Sequence, residues 1–174
     1  MSYLQLVEVA FVATLRHMGV SLRRIRIARD FLESAFGMEY PFATMKLQTD
    51  GARVLYDLRD CEGRWAERLL GEASAAGQVI WADPIRDRIT EFQYEHGVAI
   101  RWFPRGRAVP IVVDPQVQFG TPILADSALP TLVVKERYQA GETIQEIKQD
   151  FGIEAAAIRH ALVFEGISPT VAAA

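Results

Sequence analysis

Apolar residues crowd the first helix-length stretch on nearly every side: Leu4, Leu6, Val7, Val9, Ala10, Phe11, Val12 and Leu15. A surface helix shows a single stripe, so this pattern predicts a helix central to the fold or pressed against another chain. Ser2 and Gln5 are spaced for a capping box at its start, and Gly19 ends it. Ser21 is placed to cap a second helix with Leu22, Ile25, Ala28, Leu32, Ala35 and Phe36 inward. The period then changes. Phe42 to Leu58 reads as a hairpin: Met45 and Leu47 alternate with polar residues, Asp50-Gly51 turns, and Val54-Leu55-Tyr56 returns. Residues 59–77 read as a loop with a short helix around Trp65 to Leu70, and Gln78 to Trp81 fits strand or helix equally. Asp83-Pro84 predicts a helix start, with Ile85 and Ile89 inward and Arg86 and Arg88 outward. Thr90–Glu95 and Val98–Phe103 flank His96-Gly97 as a second hairpin, one face carrying Phe92, Tyr94, Ile100 and Trp102. Pro104-Arg105-Gly106-Arg107 breaks the pattern and reads as a linker.

The last third returns to helical spacing. Ser127 to Gln139 predicts a helix with Leu129, Leu132, Val133 and Tyr138 inward, stopped by Gly141. Thr143 caps the next, which carries Ile144, Ile147 and Phe151 and ends at Gly152. A final helix buries Ala157, Ile158, Ala161 and Leu162. Three short helices joined by such tight turns predict helix-turn-helix geometry. The outward residues of the last helix are Ala155, Ala156, Arg159, His160 and Val163. Arg159 suits guanine O6/N7, and small alanines allow close approach to a groove. Glu154 repels phosphate, whereas Ala, Val and Phe164 suit a protein partner. Dimerisation, DNA contact and a plain core helix all remain open for this module.

A chain of 174 residues holds one large domain or two small ones. The reading here is an α+β protein in two parts, residues 1–106 and 107–168, followed by a loose tail at 169–174. With a net charge of −3 there is no global attraction to nucleic acid, so any contact comes from a local patch. Arg16, Arg23, Arg24, Arg26 and Arg29 form such a patch, with no acid among them. Phosphate contact and a solvated face offset by Asp30 and Glu33 both fit it. Arg101, Arg105 and Arg107 beside Trp102 suit a single strand, or else cover a hairpin surface. Leu6, Val9, Phe11 and Val12, with Val163 and Phe164, are the candidate interface residues. The lone cysteine, Cys61, allows no intramolecular disulfide and fits a reducing compartment; Asp60 and Glu62 beside it disfavour a reactive thiolate. No signal peptide or bilayer-length apolar run is evident, so the expected location is cytoplasmic. His17, His96 and His160 lack metal-ligand spacing, and neither a phosphate-cradling glycine loop nor a nucleophile elbow occurs. Asp114 reads as a turn residue, and Asp126 or Ser127 as a helix cap. No catalytic residue, metal or cofactor is expected.

The order Asp114-Pro115-x-Val117-x-Phe119-Gly120-x-Pro122-Ile123, helix, Ala140-Gly141-Glu142-Thr143-Ile144, helix, resembles the domain-of-unknown-function family 433 over roughly residues 110–166. That family is small, helical and antitoxin-like. It has Gly-Thr-Arg before its long helix, where this chain has Ala125, Asp126 and Ser127. The N-terminal run Leu15-Arg16-His17-Met18-Gly19-Val20-Ser21-Leu22 resembles the third and fourth helices of a MerR-type winged helix-turn-helix. In that type the DNA-reading element precedes this segment, whereas here the sequence begins at Met1. Together the two resemble antitoxins of the VapB type. The resemblance implies a PIN-domain ribonuclease toxin as partner, operator DNA bound in autorepression, a homodimer, and no membrane. The arginines Arg16, Arg23, Arg24, Arg26 and Arg29, with Arg159 and His160, are then the expected DNA contacts. The alternative is a homo-oligomeric adaptor without nucleic-acid binding.

Overall fold

The computed structural model describes residues 1–49 and 82–169. The predicted turn and return at 50–58, the loop and helix at 59–77, Gln78–Trp81 and Cys61 lie outside the described residues. The architecture is mixed α+β: N-terminal helices, two small two-stranded sheets and three C-terminal helices. The chain divides into two compact units, Met1–Ile100 and Arg101–Ala174.

In the first unit, α1 (Tyr3–His17) starts at the expected capping box, with Ser2 accepting from the Gln5 N–H and Gln5 reaching back. Ser21 caps α2 (Leu22–Phe36), and Gly37 ends it in the left-handed conformation at φ 67°. Ile25, Ala28, Leu32 and Phe36 face the core as predicted, but Leu22 and Ala35 do not. Leu22 sits at the first helical position and is half exposed. Met45 and Leu47 belong to no strand. Pro41–Ala43 forms a 3-10 turn, Thr44 bridges Val98, and α3 (Met45–Thr49) follows. Two alternating apolar positions were too few to separate a strand from a short helix. The helix α4 (Asp83–Thr90) buries Ile85 and Ile89. Arg88, expected outward, is half buried, donates to Thr14 Oγ1 at 2.9 Å and pairs with Glu91. Strands β1 (Phe92–Glu95) and β2 (Val98–Trp102) meet at His96 and Gly97, both with positive φ, as a tight hairpin requires. Ala99, not Ile100, is the buried residue of the returning strand. Phe11 centres this core: its ring stacks 5.6 Å from both Phe42 and Phe92.

In the second unit, β3 (Ile111–Val112) pairs antiparallel with β4 (Ile123–Leu124), Ile111 opposite Leu124. The helix α5 runs Thr131–Gln139 rather than from Ser127. The intervening residues are committed elsewhere: the Ala128 N–H goes to the Leu124 carbonyl, and the Leu124 N–H to Leu129. Ser127 accepts from the Leu129 N–H, so neither it nor Asp126 caps the helix, which begins after Pro130 without a side-chain cap. Val134 and Thr131 therefore take the buried face, and Leu132 is left half exposed. Helix α6 (Ile144–Phe151) has a complete Thr143/Glu146 capping box and ends at Gly152, φ 64°. Helix α7 (Ala155–Phe164) follows after three residues, Gly152, Ile153 and Glu154. Ile111, Leu124, Val134, Ile147, Ile153, Ile158, Ala161 and Leu162 form one core. Arg137 ties the helices together: it donates to Glu142 at 2.8 Å and Asp150 at 2.5 Å, and lies over the Phe151 ring. These bonds, that to Glu142 first, hold the guanidinium more firmly protonated than usual.

Candidate nucleic-acid and partner interface

The arginine cluster separates into two groups by what each side chain touches. Arg23 and Arg26 project from the outer face of α2, exposed and without an ion pair among the described residues. Arg24 is exposed on the same helix. Arg16 is exposed too, but its Nη1 donates to the Val20 carbonyl at 2.9 Å and closes the turn between α1 and α2. Arg29 points elsewhere. It is half buried, donating to Glu33 at 2.9 Å and to the Glu39 carbonyl at 2.6 Å, with Glu8 at 3.4 Å. A guanidinium held by that many acceptors is structural, and its removal from them would leave Glu8 buried without its counter-charge.

Glu8 had no assigned role in the sequence. It is buried against Phe42, whose N–H it accepts at 2.8 Å. Burial pushes its carboxyl up to about 7, outweighing the Phe42 N–H and Arg29, which both favour the ionised form. The available signal was a lone acid inside an otherwise apolar helix, facing an arginine-bearing one.

The proposed interface residues of α1 also divide. Phe11 is core. Leu6 and Val12 are half buried and Val9 is 53% exposed, leaving a narrow apolar strip on the outer side of the helix.

On α7, Arg159, His160 and Val163 face solvent, as do Ala156 and in part Ala155. Phe164 packs against the core instead. Glu154, at the N-terminal end, pairs with Lys148 at 3.1 Å. The helix α6, the turn at Gly152 and α7 thus present a short helix with two cationic or titratable side chains and a small-residue start. Its dimensions fit a groove, and its charge is modest.

An ion pair between buried Asp114 and exposed Arg101, also unforeseen, anchors the β3–β4 connection. Asp114 accepts from Arg101 Nε at 2.6 Å and from the Gln116 N–H at 2.9 Å. It holds a turn in which Gln118, Phe119 and Gly120 all have positive φ, and Phe119 is fully exposed at its tip. Residues 111–164, which contain Asp114, the Phe119 turn and helices α5 to α7, match the family model described as "Protein of unknown function (DUF433)". Over 92% of the present chain and 69% of its own length, a protein of Mycobacterium tuberculosis (strain ATCC 25618 / H37Rv) named "Putative antitoxin VapB45" is 25% identical. The X-ray crystal structure of Rv2018 from Mycobacterium tuberculosis superposes with a TM-score of 0.83 at 24% identity, covering 93% of this chain and 78% of that one. At that identity the likeness establishes the fold. Where the DUF433 resemblance led to Gly-Thr-Arg, this chain has Ala125-Asp126-Ser127, of which Asp126 and Ser127 border a cavity of about 490 Å³. Leu124, Phe151, Ile153 and Ala157 also line it. Among the described residues there is no cluster of His, Cys, Asp and Glu suited to a metal ion. No helix among them is long and apolar enough to cross a membrane.

Proposed function

We propose that this chain is the antitoxin of a type II toxin–antitoxin pair, binding and neutralising a PIN-domain ribonuclease and repressing its own operon as a homodimer. The observation that carries the reading is the likeness to a named putative antitoxin along 92% of the chain, rather than over one motif. In this reading Arg23, Arg24 and Arg26, with Arg16 at the turn, contact phosphate, and Arg159 and His160 reach the groove. Arg29 belongs to the fold and not to the DNA contact, because Glu33, Glu39 and Glu8 hold it. The strip of Leu6, Val9 and Val12 supplies an apolar contact with protein, as does Val163. The N-terminal helical pair serves as a partial MerR-like segment. The chain itself performs no catalysis.

A salt titration of binding to the chain's own promoter DNA tests the repressor half. Each phosphate contact steepens the fall of log affinity with log salt by about 0.9. Absence of binding at low salt removes the DNA role. A second reading, a homo-oligomeric adaptor without nucleic-acid binding, is favoured by one observation: three of the five outward residues of α7 are Ala155, Ala156 and Val163. Retained self-association with no DNA affinity selects it.

A further inference from the structure

The stretch from Arg101 to Val113 carries three arginines and no acid. Neither the α2 patch nor α7 includes it. Its arginines are placed differently. Arg101 is held by Asp114 through Nε at 2.6 Å, so its charge is spent within the fold. Arg105 and Arg107 are both exposed. Two consecutive turns present them. The Gly106 N–H closes the first onto the Phe103 carbonyl, and the Val109 N–H closes the second onto the Gly106 carbonyl. Arg105 is a central residue of the first turn and Arg107 of the second. Pro104 fixes its own φ in the first, and Gly106 takes the left-handed position at the junction, φ 76°. A loop built this way holds its charges at little conformational cost to a ligand.

An aromatic ring sits beside these charges. The Arg107 guanidinium lies over Phe103, 4.7 Å from the ring centroid. Phe103 is half buried and also lines a cavity of about 150 Å³, with Val112, Val117 and Ile123 as apolar wall and Arg101 and Asp114 as polar side. A cavity of about that size takes a benzene ring, so the six-membered ring of a base enters this one. Cations for phosphate, next to an aromatic surface and a ring-sized slot, are the combination that holds an unpaired nucleotide. A duplex does not suit it, because its bases are stacked on one another and offer Phe103 no face. An acidic peptide answers the arginines and leaves the slot unused.

We propose that this face binds single-stranded nucleic acid, with a base lodged beside Phe103 and the adjoining phosphates on Arg105 and Arg107. All of these residues belong to the Arg101–Ala174 unit. The site shares no residue with the duplex contacts proposed for α2 and α7, and it needs no toxin.

Fluorescence anisotropy of short labelled oligouridine and oligothymidine, titrated with this chain, tests the site. Both strands bind at low salt, and the tighter one names the source as RNA or DNA. Arg105→Glu with Arg107→Glu weakens binding by about tenfold or more and flattens the log–log salt slope by about 1.4, two phosphates at about 0.7 each. Phe103→Leu keeps an apolar side chain beside the cavity and weakens binding by about tenfold, as loss of one stacked base does, with the salt slope unchanged. Promoter-duplex binding and toxin inhibition are untouched by the double arginine reversal, so failure of this site and failure of the antitoxin reading are told apart. No binding of either strand at low salt overturns the proposal. So does binding that survives the double reversal, or binding lost only on reversing Arg23 and Arg26. Displacement of the strand by polyglutamate as readily as by unlabelled oligonucleotide also overturns it, by assigning the face to an acidic protein.

Discussion

Glu8 places an ionisable group where α1, α2 and the Pro41–Ala43 turn meet, and its effect on stability has a definite sign. Its carboxyl sits at about 7 when folded, against 4.5 in its ordinary setting. Between those values the folded chain holds a proton that the unfolded chain releases, so stability falls as pH rises through this window and the loss is complete above it. The contribution is on the order of 3 kcal/mol at most, given the size of the gap. Glu8→Gln keeps an acceptor for the Phe42 N–H and removes the titration. Thermal unfolding followed from about pH 5 to pH 8 should then be flatter than in the wild type, and at the upper end equal or higher. An unchanged pH slope would assign the effect to another group. Arg23 and Arg26 make a contrasting case, since they are exposed and carry no ion pair among the described residues. Reversing both to Glu should leave the melting temperature within about 0.5 kcal/mol of stability of the wild type. The log–log salt slope of promoter binding should drop by about 2. Unaltered DNA affinity would retire the patch. Arg29→Ala, by contrast, should destabilise the fold, because Glu33, the Glu39 carbonyl and buried Glu8 all lose the guanidinium that holds them.

At the scale of the element, the C-terminal helices depend on their ends. Thr143→Ala breaks a complete capping box and should cost about 1 kcal/mol in chemical denaturation. Gly152→Ala meets no atom within 4 Å, so its cost is purely the left-handed backbone, about 1 kcal/mol. A neutral result at Gly152 would mean the turn relaxes. Both ends were legible in the sequence, as were Ser2/Gln5, Ser21 and the His96-Gly97 hairpin, because caps and positive-φ turns are local chemistry. Elements decided by distant pairing were not. Thr44 bridges Val98 and starts a helix where alternation implied a strand. Residues 124–130 fold back on β4 and move the start of α5 to Thr131, turning Leu132 outward. The candidate site shows the same division. Which arginines are exposed follows from helical spacing, but the withdrawal of Arg29 and Arg88, and the Arg101–Asp114 pair, required knowing what packs beside them.

For the molecule as a whole, the antitoxin reading makes a polymer-binding protein out of a chain with net charge −3. Its cationic groups must then act locally, on α2 and α7, within each unit's own surface. The central claim is that the chain binds and silences a ribonuclease. The direct measurement is RNA cleavage by the PIN-domain ribonuclease proposed as its toxin, titrated with this chain. The account predicts that cleavage falls to zero at a fixed stoichiometry, with a complex recoverable by size-exclusion chromatography. Undiminished cleavage with the chain in excess would contradict it.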